Sequence, residues 1–204
     1  MIAVLLPPPL GGTAYLPDLA RVLPDHGYST VLPQVSDDDR PPFAARYVAR
    51  ASLETHRLVG EQEAQDGGSR TPVALVAEGQ AGPLLSAVGA AQRAAHRPVL
   101  AYVFVNAWLP QPGSPTRAEI VHRQSPAQSD DPVEEADVPS EYWTERLQTV
   151  PDWPDAPCGY LLTDPTCTHI AKLARMRGWV VREAIGATRG AGQALAELLS
   201  ELHR

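Results

Sequence analysis

The sequence predicts a three-layer α/β sandwich: a mostly parallel sheet of about six strands, with helices on both faces. Three observations carry this. Short apolar runs alternate with segments of helical period almost to the end of the chain. Runs that are apolar throughout, rather than alternating, belong to strands buried on both sides. The 204 residues suit one ordinary domain, spanning 1–204. The composition is 44% hydrophobic and 20% charged, enough to fill a core, and its 21 prolines and 15 glycines call for many turns rather than a bundle.

In order, residues 2–6 (Ile2-Ala3-Val4-Leu5-Leu6) read as a first strand. Residues 12–26 follow as a helix with Tyr15, Leu16, Leu19, Val22 and Leu23 on one face. A second strand spans 29–32, and a long helix spans 43–61 through Phe43, Tyr47, Val48, Ala51 and Leu58. The polar turn Asp66-Gly67-Gly68-Ser69 leads to a third strand at 73–77. An Ala-rich helix at 82–96 and a fourth strand at 99–105 come next. Strands at 160–163 and 179–182 bracket a helix at 168–177, and residues 193–203 make a closing helix.

Residues 109–157 break this rhythm. They hold nine prolines, an acidic patch (Asp130, Asp131, Glu134, Glu135, Asp137) and one helix started by Ser140. So long a loop-rich excursion inside a compact α/β domain reads as a lid or binding insertion, and Tyr142, Trp143 and Trp153 need apolar surface to cover.

The charges exclude several chemistries. Lys172 is the sole lysine, and it stands in a helical pattern far from any Gly-rich turn, so a P-loop, a Ser-Lys dyad and a Schiff-base lysine are all removed. A net charge of −7 with no clustered basic face argues against nucleic acid. Cys158 and Cys167, nine positions apart, fit neither a C-x-x-C pattern nor a disulfide scaffold, and no His, Asp, Glu or Cys spacing suits a metal. The N-terminus lacks a basic region before its short apolar run, and no apolar run is long enough to cross a membrane, so a soluble cytoplasmic protein is expected.

The informative segment is Ala74-Leu75-Val76-Ala77-Glu78-Gly79-Gln80-Ala81-Gly82-Pro83-Leu84-Leu85: a strand, a tight small-residue turn and a helix. It resembles the nucleophile elbow of the α/β-hydrolase superfamily, whose pattern is G-x-S-x-G. Around it, Pro7-Pro8-Pro9-Leu10-Gly11-Gly12 stands where that family's oxyanion loop follows its strand, and Tyr102–Pro110 looks like the strand and loop before a lid. Gly159–Asp164 looks like the strand that often carries the acid, and Arg182–Gly190 like the histidine loop. The resemblance covers nearly the whole chain.

Its catalytic positions do not carry over. With the elbow aligned, the first glycine is Ala77, the nucleophile is Gly79 and the closing glycine is Ala81. No serine or cysteine lies between Ser69 and Ser86, and the last strand-to-helix loop holds no histidine; Thr188 is its best positional match. Asp164 can serve as a carboxylate and Asn106 cannot, and an acid without imidazole and nucleophile has no triad role. What the resemblance leaves is an oxyanion hole of backbone amides, from Gln80 and from Leu10 or Gly11. Glu78 beside it is either a base with a raised pKa or an acid favoured by a helix N-terminus. Gly79, Asn106, Trp108, Trp143 and Thr188 would line the pocket. His169, near Asp164, is the one histidine placed to reach it, and His122 and Arg123 lie in the insertion.

The resemblance therefore implies no cofactor, a small-molecule ligand under the lid, and chemistry other than serine hydrolysis. Three classes follow: a cyclase, lyase or isomerase acting on a small carbonyl metabolite; a catalytically inactive binding or partner protein; and a hydrolase with an unconventional nucleophile or a water activated by Glu78 or Asp164. The arginine-biased, Ala- and Pro-rich usage points to a high-GC bacterial source, where such domains recur in secondary metabolism.

Overall fold

A computed structural model describes residues 1–11, 15–36, 38–124, 138–148, 153–186 and 188–204. Six strands, β1 (Ile2–Leu6), β2 (Ser29–Val31), β3 (Val73–Glu78), β4 (Val99–Val105), β5 (Cys158–Leu162) and β6 (Val180–Glu183), make one sheet. Their order is β2-β1-β3-β4-β5-β6, and every neighbouring pair is parallel. The helices are α1 (Leu16–Val22), α2 (Phe43–Gln65), α3 (Leu85–Ala94), α4 (Arg117–Gln124), α5 (Ser140–Thr144), α6 (Thr168–Met176) and α7 (Thr188–Leu202).

Alternate strand residues enter two cores. On one face Val4, Leu75, Tyr102 and Tyr160 pack with Tyr47 of α2, Leu85 and Val88 of α3, and Ile170 of α6. On the other, Leu5, Val76, Val103 and Leu161 pack with Leu19 of α1 and Leu195 and Leu198 of α7. Strands buried on both faces have no polar side to show solvent, which is why β1, β3 and β5 are apolar almost throughout. From β1 the chain runs outward to β2 and then back across to β3, so the order reverses between β1 and β3. The crevice beyond the carboxyl ends at such a switch point is where open α/β sheets bind ligands.

Several predicted bounds shift for local reasons. The helix expected over 12–26 begins at Leu16, with Pro17 in its first turn, and passes into a 3-10 turn at Leu23–His26, where Pro24 cannot donate to a continuing α-helical ladder. Residues 82–84 belong to a 3-10 turn, Gly79–Leu84, and α-helix starts only after Pro83. The closing helix opens at Thr188, five positions before the predicted start. Within 109–157, α5 stands where Ser140 was expected to start a helix, but Pro139 is its N-cap and no side chain caps it. The acidic patch of that excursion lies outside the described residues.

α4 was not predicted. Arg117, Ile120, Val121 and Gln124 form its buried face, and Gln124 clasps the incoming chain by donating to the Leu109 carbonyl at 2.6 Å and accepting the Leu109 amide at 2.8 Å. Ile120 and Leu147 thereby join the core on the α2–α3–α6 face.

Candidate functional site at the carboxyl ends of the first and third strands

The strand–turn–helix expected at Glu78–Gln80 is present. Gly79 sits at φ 54, a left-handed conformation that glycine adopts without strain. A side chain there would meet nothing closer than Pro8 Cγ at 3.9 Å. The close approach falls on Gly82, where an added Cβ would lie 2.1 Å from the Trp108 carbonyl oxygen. The glycine that lets the turn pack is thus Gly82, one position beyond Ala81, which the resemblance had aligned with the closing glycine.

Glu78 is buried, and its carboxylate faces α1. Each oxygen accepts the Tyr15 amide at 2.9 Å, and Oε2 also accepts the Leu16 amide at 3.4 Å. Glu78 therefore satisfies orphan N–H groups at a helix start, as its non-catalytic reading expected, although the helix is α1 rather than the one that follows the elbow. Burial raises its pKa, and the two amide bonds oppose the rise.

The oxyanion loop is also occupied. Leu10 lies at φ 60 in the turn Pro9–Gly11, and its amide donates to Asp38 Oδ2 at 2.8 Å. Asp38 is 5% exposed. Leu10 is thus not an open donor, which corrects that half of the expected hole. Gly11, at φ 68, is exposed. The Gln80 amide lies in the first turn of its 3-10 segment, where no intrahelical carbonyl precedes it.

At the ends of β4 and β5 the predicted pocket residue Asn106 serves as a clasp. Its Nδ2 donates to Thr163 Oγ1 at 2.6 Å, and Oδ1 accepts the amides of Thr163 (2.8 Å) and Asp164 (3.1 Å). Asp164 is exposed and caps the turn Pro165–Cys167 by accepting the Thr166 amide at 2.9 Å. The ring centroids of His169 and Trp108 lie 6.2 Å apart, the His169 Nε2 is buried without a partner among the described residues, and burial lowers its pKa. The side chain of Thr188 lies outside the described residues.

Gln80, Trp108 and Trp143 do converge. With Pro83, Arg117, Ile120 and Val121 they line a cavity of about 10 Å³, roughly the space of one water. Described residues of the 109–157 stretch meet the elbow here: Tyr142 donates its hydroxyl to Gln80 Oε1 at 2.7 Å, and the Arg117 guanidinium lies 3.9 Å over the Tyr142 ring. A groove of about 470 Å³ shares Pro83 and Ile120 as walls and continues past Leu147, Trp153 and Trp179.

Sequence reasoning missed Arg117, which is 4% exposed, and Asp38. Arg117 was detectable, because it falls at helical spacing with Ile120, Val121 and Gln124, and a charge on an apolar face is unusual. Asp38 was hidden in an acidic run, Asp37-Asp38-Asp39, that reads as solvated. Among the described residues, no three His, Cys, Asp or Glu side chains group to hold a metal, and no helix is long and apolar enough to cross a membrane.

The architecture is the α/β-hydrolase fold. An extracellular α/β-hydrolase from a Paenibacillus species superposes with a TM-score of 0.58 at 12% identity, covering 100% of each chain. A point mutant of tomato methylketone synthase I gives 0.56 at 11% identity over 98% of this chain and 97% of its own. The thioesterase RedJ of the prodiginine biosynthetic pathway in Streptomyces coelicolor gives 0.53 at 17% over 99% and 89%. The sequence matches no protein-family profile and no curated protein.

Proposed function

We propose that this chain is a non-hydrolysing protein built on the α/β-hydrolase frame, which binds a small organic ligand under the 109–157 excursion acting as its lid. The observation that carries this reading is the commitment of Glu78. A general base needs a lone pair aimed at the substrate, and both oxygens of Glu78 are engaged with the start of α1. Gly79 supplies no nucleophile, and Asp38 holds the Leu10 amide. The tryptophans and the groove beside the elbow support a ligand role, since such sites are mostly apolar with a few polar groups.

A second reading is favoured by the Gln80 amide, which stands in the first turn beside Gly79. It is a non-hydrolytic cyclase, lyase or isomerase acting on a carbonyl metabolite in bacterial secondary metabolism, with that amide stabilising an enolate. A methylketone synthase and a biosynthetic thioesterase among the fold neighbours show the frame in biosynthetic proteins.

Treatment with a fluorophosphonate probe and a nitrophenyl ester tests the first reading. No covalent adduct and no turnover are expected. Stoichiometric labelling or sustained ester cleavage overturns it. Conversion of a carbonyl metabolite that Glu78→Gln abolishes would favour the second reading.

A further inference from the structure

Two side chains that line the cavity above the elbow, Arg117 and Trp143, carry buried donors with no partner among the described residues. Arg117 spends Nη1 on the Tyr142 carbonyl and on Glu145 Oε2, both at 3.1 Å. Its Nε and Nη2 are buried with no partner among the described residues, and so is Trp143 Nε1. Nε and Nη2 lie on one edge of the guanidinium, the fork that matches a carboxylate. Gln80, which also lines the cavity, already accepts the Tyr142 hydroxyl through Oε1. Buried, unpartnered N–H groups are rare and costly in folded proteins, and this set is donor-rich.

Glu145 pairs with Arg117 through Nη1 alone and leaves the Nε–Nη2 edge unmatched. Its Oε2 also accepts the Ala44 amide at 2.8 Å, in the first turn of the 23-residue α2, so the carboxylate is shared with a helix N-terminus. The Nε–Nη2 edge stays without a partner among the described residues, on a side chain that lines the cavity.

Resting on the ligand-binding reading above, we propose that Arg117 and Trp143 recognise the carboxylate of a small amphipathic acid, whose apolar body lies in the adjoining proline- and tryptophan-lined groove. The cavity admits about one oxygen-sized atom, and it shares Pro83 and Ile120 with the groove. An acid entering between those two walls places one oxygen against the Arg117 fork and the Trp143 N–H. Its chain then runs along Leu147, Trp153 and Trp179. A tetrahedral dianion would need several oxygens accommodated at once, which this space does not offer.

The test titrates the intact protein with hexanoate, hexanamide and hexanol, read by calorimetry and by the fluorescence of the groove tryptophans. Hexanoate is expected to bind at least about tenfold more tightly than hexanamide, the difference a charge-assisted hydrogen bond makes. Arg117→Gln should bring hexanoate down to the hexanamide level. Because Arg117 also anchors Glu145, Trp143→Phe is the second variant: it keeps an aromatic ring, removes one donor and should weaken hexanoate several-fold. Arg57→Gln, on the exposed face of α2, should leave the preference intact, whereas Arg177→Gln reports on the other cation that lines the groove. Equal affinity for acid and amide, no hexanoate binding, indifference to Trp143→Phe, or a loss confined to Arg177→Gln each overturns the assignment. Equal affinity leaves the ligand-binding reading standing, whereas ester turnover overturns that reading without touching the acid preference.

Discussion

Glu78 at the end of β3 holds the amide of Tyr15 at the start of α1, 2.9 Å from each carboxylate oxygen. The bond ties the elbow to the first helix across the switch point of the sheet. It also turns the most suggestive acid in the sequence into a helix cap.

That role separates two substitutions. Glu78→Ala leaves buried amides unpaired and should cost about 1–2 kcal/mol, as loss of an N-cap does. Glu78→Gln keeps one acceptor oxygen and should melt close to the parent. Burial is the largest influence on Glu78 and raises its pKa. The folded chain therefore takes up this proton more readily than the unfolded one, and stability falls as pH rises from the ordinary carboxylate range through the raised value. Melting curves across mildly acidic pH should show this decline in the parent and lose it in Glu78→Gln; identical profiles would remove the cap from the account.

The pair Arg97–Glu63 gives the opposite sign. Arg97 Nη1 donates to Glu63 Oε1 at 2.6 Å, and the Thr71 amide donates to the same oxygen at 2.7 Å. Burial works against ionisation of Glu63, yet Arg97 and Thr71 outweigh it, and its pKa is lowered. The stability it contributes is present above the ordinary carboxylate range and is lost as pH falls through the depressed value. Glu63→Gln strands a buried guanidinium and should cost about 3 kcal/mol, or roughly 6–12 °C in Tm. A shift of only a degree or two would show that Arg97 finds another partner.

Gly79 and Gly82 should respond differently to a side chain. Gly79→Ser meets open space at φ 54 and should cost about 1–2 kcal/mol of backbone strain. The variant should still resist fluorophosphonate, because no histidine stands in the loop before α7 to activate a hydroxyl. Gly82→Ala drives a Cβ into the Trp108 carbonyl and should cost about 3 kcal/mol. Urea unfolding of both variants checks the order, and a milder Gly82→Ala would show that the turn can relax.

His169 titrates below its ordinary range because burial disfavours the imidazolium. Below that ordinary value the unfolded chain takes the proton first, so stability should fall as pH drops toward the folded pKa. His169→Asn should flatten this limb between pH 7 and pH 5, about the span over which an ordinary imidazole charges. An NMR titration of the ring that gives an ordinary or raised pKa would contradict the burial of Nε2.

Strand positions were legible because burial on both faces leaves Ile2–Leu6, Val73–Ala77 and Val99–Val105 apolar throughout. The elbow was legible as a strand, a small-residue turn and a helix. Hydrogen-bond partners were not. Nothing local to Asn106 shows that its amide spans to Thr163, and nothing local to Asp38 shows that it reaches Leu10, because both pairings depend on loops brought together by the sheet. α4 was obscured by its polar surroundings: half of its eight residues are charged or histidine, and its apolar content is Ala118, Ile120 and Val121.

The Asp38–Leu10 contact has a consequence for any ligand that seeks that amide. Asp38 is a competitor tethered to its own receptor. A group held by a short stretch of chain competes at an effective concentration on the order of millimolar or more. A free carbonyl compound at micromolar levels competes poorly against it, so under the proposed ligand role selection falls to the described residues of the 109–157 excursion rather than to the first-strand loop.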